Sequence, residues 1–291
     1  VRFSHTALVR FDEALRQIFG WKKVASVSTF TRFFRRFKRQ NVDEVFSFVN
    51  SWFWNQLAPK TLTIDLDSSV MTRYGEQEGA AKGYNPQKKG RRSHHPLFAF
   101  VADLRMVLHA WLRPGNTAAC NGAAEFFQEA ICNLGSTHRI GLVRADSGFF
   151  SGEFLKLLEA KLLHYIIAAK MNSAIRCLMT GLKDWVYVTE GIAVSEMGYQ
   201  AHLWDKERRI IVVRQDETKR PEARGKLLLE VPGYRYQVYV TNLDLAPLEI
   251  WRLYRGRADS ENRIEELKCY FGLPGFCSDS FYGTEAAFRA I

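Results

Sequence analysis

Tyr254, Arg257, Glu261 and Lys268 stand near the end of the chain with two, three and six residues between them. At about 100° per residue these offsets return to nearly the same side of a helix. The spacing therefore predicts a phenol, a guanidinium, a carboxylate and an ammonium on one face of a helix running from Leu248 to Phe271. Arg grips phosphate bidentately, Lys meets it as a point charge and Tyr through its hydroxyl. Ile250, Leu253, Ile264, Leu267 and Phe271 form an apolar stripe beside this face, which puts the polar stripe at the rim of a buried surface. The bland alternative is a solvated helix in which Arg257 and Glu261 pair at i,i+4, worth about 0.3–0.5 kcal/mol.

Chemistry on a phosphodiester needs two oxygen-loving divalent ions about 4 Å apart, and magnesium takes only a few carboxylates from the protein. Those carboxylates must converge from separate elements. In the stretch TIDLDSSV, Asp65 and Asp67 project from the same face of one strand, so physics leaves both open. In LVRADSGFF, Asp146 ends an apolar strand, at the edge of the sheet where ligands of open α/β folds gather. An aspartate that merely caps a turn is the competing reading for each. On the last helix Glu265, one turn beyond Glu261, is the internal rival, whereas Glu266 points away by a further 100° or so.

The elements that must position these groups follow from periodicity. Residues 1–58 read as a helical N-terminal region: Phe11 to Phe19 with Gly20 as C-cap, a second helix through FTRFFRRFKRQ capped by Ser28 or Thr29, and a third capped by Asn41 through Val45, Phe48, Val49 and Trp52. From Lys60 the period changes to two, with Leu62, Ile64 and Leu66 opposite Thr63, Asp65 and Asp67. A hairpin follows over Pro96–Ala102 and Met106–Leu112, then a helix Asn121–Leu134, a strand Ile140–Asp146, a helix from Ser151 to Ala160 and a strand Leu163–Ala169. Strands alternating with helices give a mixed α/β core over residues 59–170, in the order of a ribonuclease-H-like sheet. Residues 171–245 read as a β-rich insertion with strands at Trp185–Thr189, Tyr199–Leu203, Arg209–Val213, Lys226–Val231 and Tyr234–Thr241. Residues 246–291 return to the core as its C-terminal helical part.

Composition narrows the partners. The chain has 291 residues, a formal charge of +10 and a pI of about 9.4, which favours a polyanion. The loop RYGEQEGAAKGYNPQKKGRRSHHP sets Arg73, Lys82, Lys88, Lys89, Arg91 and Arg92 against Glu76 and Glu78. Its glycines and Pro86 speak against a regular element and for a loop reaching toward backbone phosphates. His94 and His95 are adjacent and face opposite ways on a strand, so they are not read as a metal pair. The aromatic residues of the insertion, Trp185, Trp204, Tyr234 and Tyr236, read as core. Cys120, Cys132, Cys177, Cys269 and Cys277 show no zinc spacing and suit a reducing compartment. No apolar run approaches the roughly 18 residues of a membrane span. A start at Val1 and a stop soon after a helix opening at Thr284 suggest a fragment.

These motifs resemble those of DDE transposases of bacterial insertion sequences, specifically the insertion sequence four superfamily with its Tyr-Arg-Glu-Lys signature, from about Phe11 onward. TIDLDSSV resembles the first-aspartate motif, which fits Asp67-Ser68-Ser69 and not Asp65-Leu66, and LVRADSGFF resembles the second. The wording of the basic loop resembles the thirteen-eighty group of that superfamily. The resemblance implies Asp67, Asp146 and Glu261 as catalytic residues and metal ligands for two Mg2+ ions, with Mn2+ able to substitute. It also implies phosphate contacts by Tyr254, Arg257 and Lys268, joined by Lys88, Lys89, Arg91 and Arg92. The implied partners are double-stranded DNA, as element terminal repeats and target, and a second copy of the chain in a synaptic complex. The implied location is the bacterial cytoplasm, on the nucleoid when bound to DNA. A decayed DNA-binding relative and another ribonuclease-H-like nuclease are the rival readings.

Overall fold

A computed structural model describes residues 3–228, 231–275 and 278–291 of the chain. Four helices open it: α1 (Thr6–Phe11), α2 (Glu13–Ile18), α3 (Val27–Phe34) and α4 (Arg39–Asn55). The helix expected over Phe11–Phe19 is broken at Asp12, whose carboxylate caps α2 by accepting from the Leu15 N–H at 2.9 Å. Gly20, at φ +65°, closes α2: its N–H reaches the Gln17 carbonyl and that of Trp21 reaches Arg16. Ser26, not Ser28 or Thr29, caps α3, which stops at Phe34, so the basic aromatic run is divided between two helices and the turn joining them. In α4 the buried residues are Val42, Phe46 and Trp54, while the stripe Val45, Phe48, Val49 and Trp52 is exposed.

Next come β1 (Thr61–Ser68), β2 (Met71–Thr72), β3 (Ala81–Lys82), β4 (Arg92–His94), β5 (Leu97–Val101) and β6 (Met106–Trp111). After them the chain alternates α5 (Ala123–Leu134), β7 (Arg139–Ala145), α6 (Gly152–Ala160), β8 (Tyr165–Ala168) and α7 (Ser173–Thr180). The strands β9 (Val186–Thr189), β10 (Ile192–Tyr199), β11 (Arg208–Asp216), β12 (Lys226–Leu228) and β13 (Val231–Thr241) precede α8 (Pro247–Arg255), α9 (Ala258–Cys269) and α10 (Phe281–Arg289). The strand expected at Tyr199–Leu203 lies earlier, as β10, and α7 was not legible. Residues 229 and 230 of the expected strand Lys226–Val231, and Cys277, lie outside the described residues.

Among the described residues one large sheet runs in the order β6-β5-β1-β7-β8-β13-β11-β10-β9, with β12 beside β13. Its first five strands are the ribonuclease-H-like core: β5 pairs antiparallel with β1 and β6 antiparallel with β5, while β7 and β8 run parallel to β1. The β-rich stretch is continuous with this core. Strand β13 pairs antiparallel with β8, so backbone groups that would otherwise form an open edge are satisfied. One face is covered by α5 and α6, whose Phe126, Phe127, Phe154 and Leu155 pack on Leu62, Ile64, Leu66, Val143 and Ala145. On the other, Ile264 and Phe288 of α9 and α10 pack on Phe98 and Phe100, and Ile250 and Trp251 of α8 pack on Ile166, Ile211 and Val213. The polar side of β1 is therefore buried too. Among the described residues no helix is long and apolar enough to cross a membrane.

The basic loop after β1 corrects the expectation of an irregular segment. It folds as a small three-stranded sheet in the order β2-β4-β3. Two glycines permit this by letting backbones nearly touch: a Cβ on Gly83 would lie 2.0 Å from the Gly115 carbonyl oxygen, and one on Gly115 would lie 2.1 Å from that of Ser93. Inside it Arg73 Nε donates to His94 Nδ1 at 2.9 Å, so His94 carries its proton on Nε2, which donates to the Glu78 carbonyl at 3.0 Å. His95 contacts the Thr117 carbonyl through Nδ1 and Ser68 Oγ through Nε2. Both imidazoles are thus spent on protein partners.

Candidate active site

The carboxyl ends of β1 and β7 carry the two strand acids to one place. The strands are parallel, with Asp65 opposite Arg144 and Leu66 opposite Ala145. Since side chains alternate, Asp65, Asp67, Arg144 and Asp146 share one face, with Asp67 and Asp146 next to each other at its edge. Leu66, Val143 and Ala145 point the other way, into the core.

The two β1 aspartates have different partners. Asp65 is buried and bidentately paired: Arg144 Nε and Nη2 donate to its two oxygens at 2.6 and 2.7 Å. The third Arg144 donor, Nη1, reaches the Leu253 carbonyl at 2.6 Å. Asp67 lies one step nearer the edge. Its Oδ1 accepts from the Ser68 N–H at 2.8 Å, and its Oδ2 accepts from Ser260 Oγ at 2.9 Å and pairs with Arg257 Nη2 at 3.0 Å. Asp146 accepts from the Gly148 N–H at 2.9 Å.

Arg144 also explains why the expected helix Leu248–Phe271 is two helices. In a continuous helix the Arg257 N–H would bond the Leu253 carbonyl. That carbonyl is taken by Arg144, and the Arg257 N–H bonds Tyr254 instead, at 2.9 Å. Gly256 sits at the break because a Cβ there would lie 2.5 Å from Arg144 Nη1. The break lowers Arg257 onto the sheet edge, where Nη2 also donates to the Leu66 carbonyl at 3.2 Å and Nε is buried without a partner among the described residues. Tyr254, on the last turn of α8, donates to the Ala145 carbonyl at 3.3 Å, directly before Asp146.

Charge is coupled across this cluster. Burial raises the pKa of Asp146; Arg257 opposes the rise and Asp67 adds to it. Burial works against the charge of Arg257, but Asp67 first, then Tyr254, Asp146 and Asp65, hold its pKa above normal. Tyr254 is pushed up to about 12, chiefly by burial, so its hydroxyl stays a donor. Lys268 is lowered by burial while Asp67 attracts its charged form. The structure therefore gathers Asp67, Asp146, Tyr254, Arg257 and Lys268.

Glu261 is not gathered with them. It is exposed on the first turn of α9, next in the chain to Ser260. Among the described residues no group of three or more His, Cys, Asp or Glu side chains could hold a metal ion. Asp67 and Asp146 by themselves fit a hard divalent cation: both are oxygen donors, they are neighbours, and they share one electrostatic environment. Lys88, Lys89, Arg91 and Arg92 are exposed on the small sheet, which His95 ties to the residue after Asp67 through Ser68. Two contributors were missed from the sequence, Arg144 and Ser260. An arginine inside the apolar run LVRA was a usable signal for the first; nothing marked Ser260.

None of the curated proteins matches this sequence. Among solved structures, the chain is similar to the piggyBac transposase in its synaptic complex with hairpin DNA (TM-score 0.46, 13% identity, 79% of this chain and 46% of that one). It is also similar to the Mos1 transposase in a paired-end complex with the left transposon end (TM-score 0.28, 8% identity, 57% of this chain and 58% of that one). The chain thus spans about half the length of each. The family of transposase DDE domains, group 1, matches residues 3–283. That match runs from the first helices through both strand aspartates to the last helix, and this chain belongs to that family.

Proposed function

We propose that this chain cuts DNA at the ends of a mobile element by metal-dependent phosphodiester cleavage and joins the freed 3′ end to target DNA. We further propose that it is a bacterial enzyme of the insertion sequence four superfamily, thirteen-eighty group. The observation that carries this reading is the β1–β7 register, which sets Asp67 beside Asp146 beneath Arg257, Tyr254 and Lys268. Asp67 and Asp146 would hold Mg2+, or Mn2+ in its place. Glu261 is the third ligand in this reading; it follows Ser260, whose hydroxyl already bonds Asp67. Two such ions, when bound, activate the attacking oxygen and stabilise the leaving one.

The protein's own part is to seat and orient the phosphate. The Nε–H of Arg257, without a partner among the described residues, is a buried donor that a phosphate oxygen would satisfy. Lys268 adds a positive charge that Asp67 attracts, and Tyr254 supplies a hydroxyl that stays protonated. Lys88, Lys89, Arg91 and Arg92 meet backbone phosphates of the DNA farther out. Residues 1–58 add DNA contacts, 59–170 and 246–291 form the catalytic core, and 171–245 extend it. Because both ends of an element are cut together, the working form is a homodimer on DNA in the bacterial cytoplasm.

The exposure of Glu261 favours one rival, a relative that binds DNA without cutting it. Element excision in cells, from the full gene with its native flanking DNA, decides between them. Excision by wild type, abolished in Asp67→Asn and Glu261→Gln with both variants still folded, is the expected result. Binding of the flanking repeats without excision by wild type would point to the rival, and excision by Asp67→Asn would refute the site.

A further inference from the structure

The small sheet does more than present cations. Within it Thr72, Ser93 and Ala81 form one row across the three strands, and Lys82 pairs with Arg92 in the next. The Arg73 N–H bonds the Arg92 carbonyl at 2.8 Å, completing that second row. Tyr74 follows Arg73 directly and Tyr84 comes two residues after Lys82, so both leave the sheet at the end where β4 begins, and Asn85, next to Tyr84, bonds Thr72 of β2. The two tyrosines are 72% and 73% exposed, unusual for large rings on a tightly pinned segment.

This end of the sheet is preorganised. Asn85, buried at its base, donates to Thr72 Oγ1 at 3.0 Å and accepts from the Lys88 N–H at 2.9 Å. The Lys88 ammonium lies 4.9 Å from the centre of the Tyr74 ring and bonds its hydroxyl. Arg73 ties the sheet to the Pro274 carbonyl, and Glu78 accepts from the Phe281 N–H at 2.8 Å.

We propose that this end of the sheet is a stacking platform for unpaired bases of DNA, with Tyr74 and Tyr84 supplying the rings and Lys88 and Arg91 the phosphate contacts. The inference rests on the DNA-transposase reading and names which form of DNA this surface takes. Exposed aromatic faces among cations match what single-stranded nucleic acid offers, because base faces are free there and hidden in a duplex. Holding the Tyr74 ring in advance, under the Lys88 ammonium, lowers the ordering cost of capture.

Fluorescence anisotropy with a labelled oligothymidylate and a labelled blunt duplex, each across a salt series, tests it on the full chain. Tyr74→Ala and Tyr84→Ala are each expected to weaken oligothymidylate binding by about 5- to 100-fold. Tyr74→Phe and Tyr84→Phe should keep it, with duplex affinity and the salt slope unchanged. Phenylalanine variants as weak as the alanine ones, an equal loss on the duplex, or no loss at all would each overturn the stacking role. The parent reading fails separately: it falls, and the platform with it, if wild type binds neither probe. Loss of both probes with a flatter salt slope in Lys88→Ala/Arg91→Ala supports the phosphate contacts.

Discussion

Arg144→Met isolates the contact that shapes the site. The substitution leaves the Asp65 carboxylate, 2% exposed, without the guanidinium that fills both its oxygens. Breaking a buried pair from one side costs about 3–5 kcal/mol, because the remaining charge is uncompensated. The loss must depend on pH. Burial already holds the Asp65 pKa above its ordinary 3.8, against the pull of Arg144 and Arg257. An acid whose folded pKa is raised costs stability above that pKa and none below its unfolded value. Removing Arg144 raises it further, so the deficit should be smallest near pH 4 and grow to full size at neutral pH. Urea unfolding of wild type and variant at several pH values measures this. The double variant Asp65→Leu/Arg144→Met removes both charges and should recover most of the stability, while the freed Leu253 carbonyl leaves the α8–α9 break unpinned and excision low. A double variant as unstable as Arg144→Met would refute the buried-charge account.

Two further outcomes follow from the small sheet. Gly115→Ala would place a Cβ 2.1 Å from the Ser93 carbonyl oxygen and 2.4 Å from that of Ala81, so β3 and β4 must part; we expect a loss of about 1–3 kcal/mol and hydrogen-exchange protection lost first in residues 81–94, and unchanged protection would contradict the close approach. His94 is held down at about 4 from 6.5, by burial first and then by Arg73. Its stabilisation is therefore full above pH about 6.5 and lost as pH falls toward 4, up to about 3 kcal/mol. His94→Gln should flatten stability over that window, and an undiminished slope would mean that another group titrates there.

Much of the core was legible from periodicity because buried strands and helices leave their period in the chain. The alternation of β1, the hairpin β5–β6 and the helix capped by Ser151 all stand close to where the pattern put them. The acids at the ends of β1 and β7 were equally visible, since each closes an apolar run. What alternation could not decide was which aspartate meets Arg257. Asp65 and Asp67 have the same parity, and only the parallel register puts Arg144 across from Asp65 and leaves Asp67 for Arg257 and Ser260. Nor could a helical wheel foresee that Arg144 would take the Leu253 carbonyl and break the helix at Gly256. The basic loop looked irregular for the same reason: its order comes from Gly83 crossing Gly115, a contact between distant parts of the chain. Local period and residue type belong to the sequence; pairings across strands, and the helix break they impose, exist only once the chain is packed.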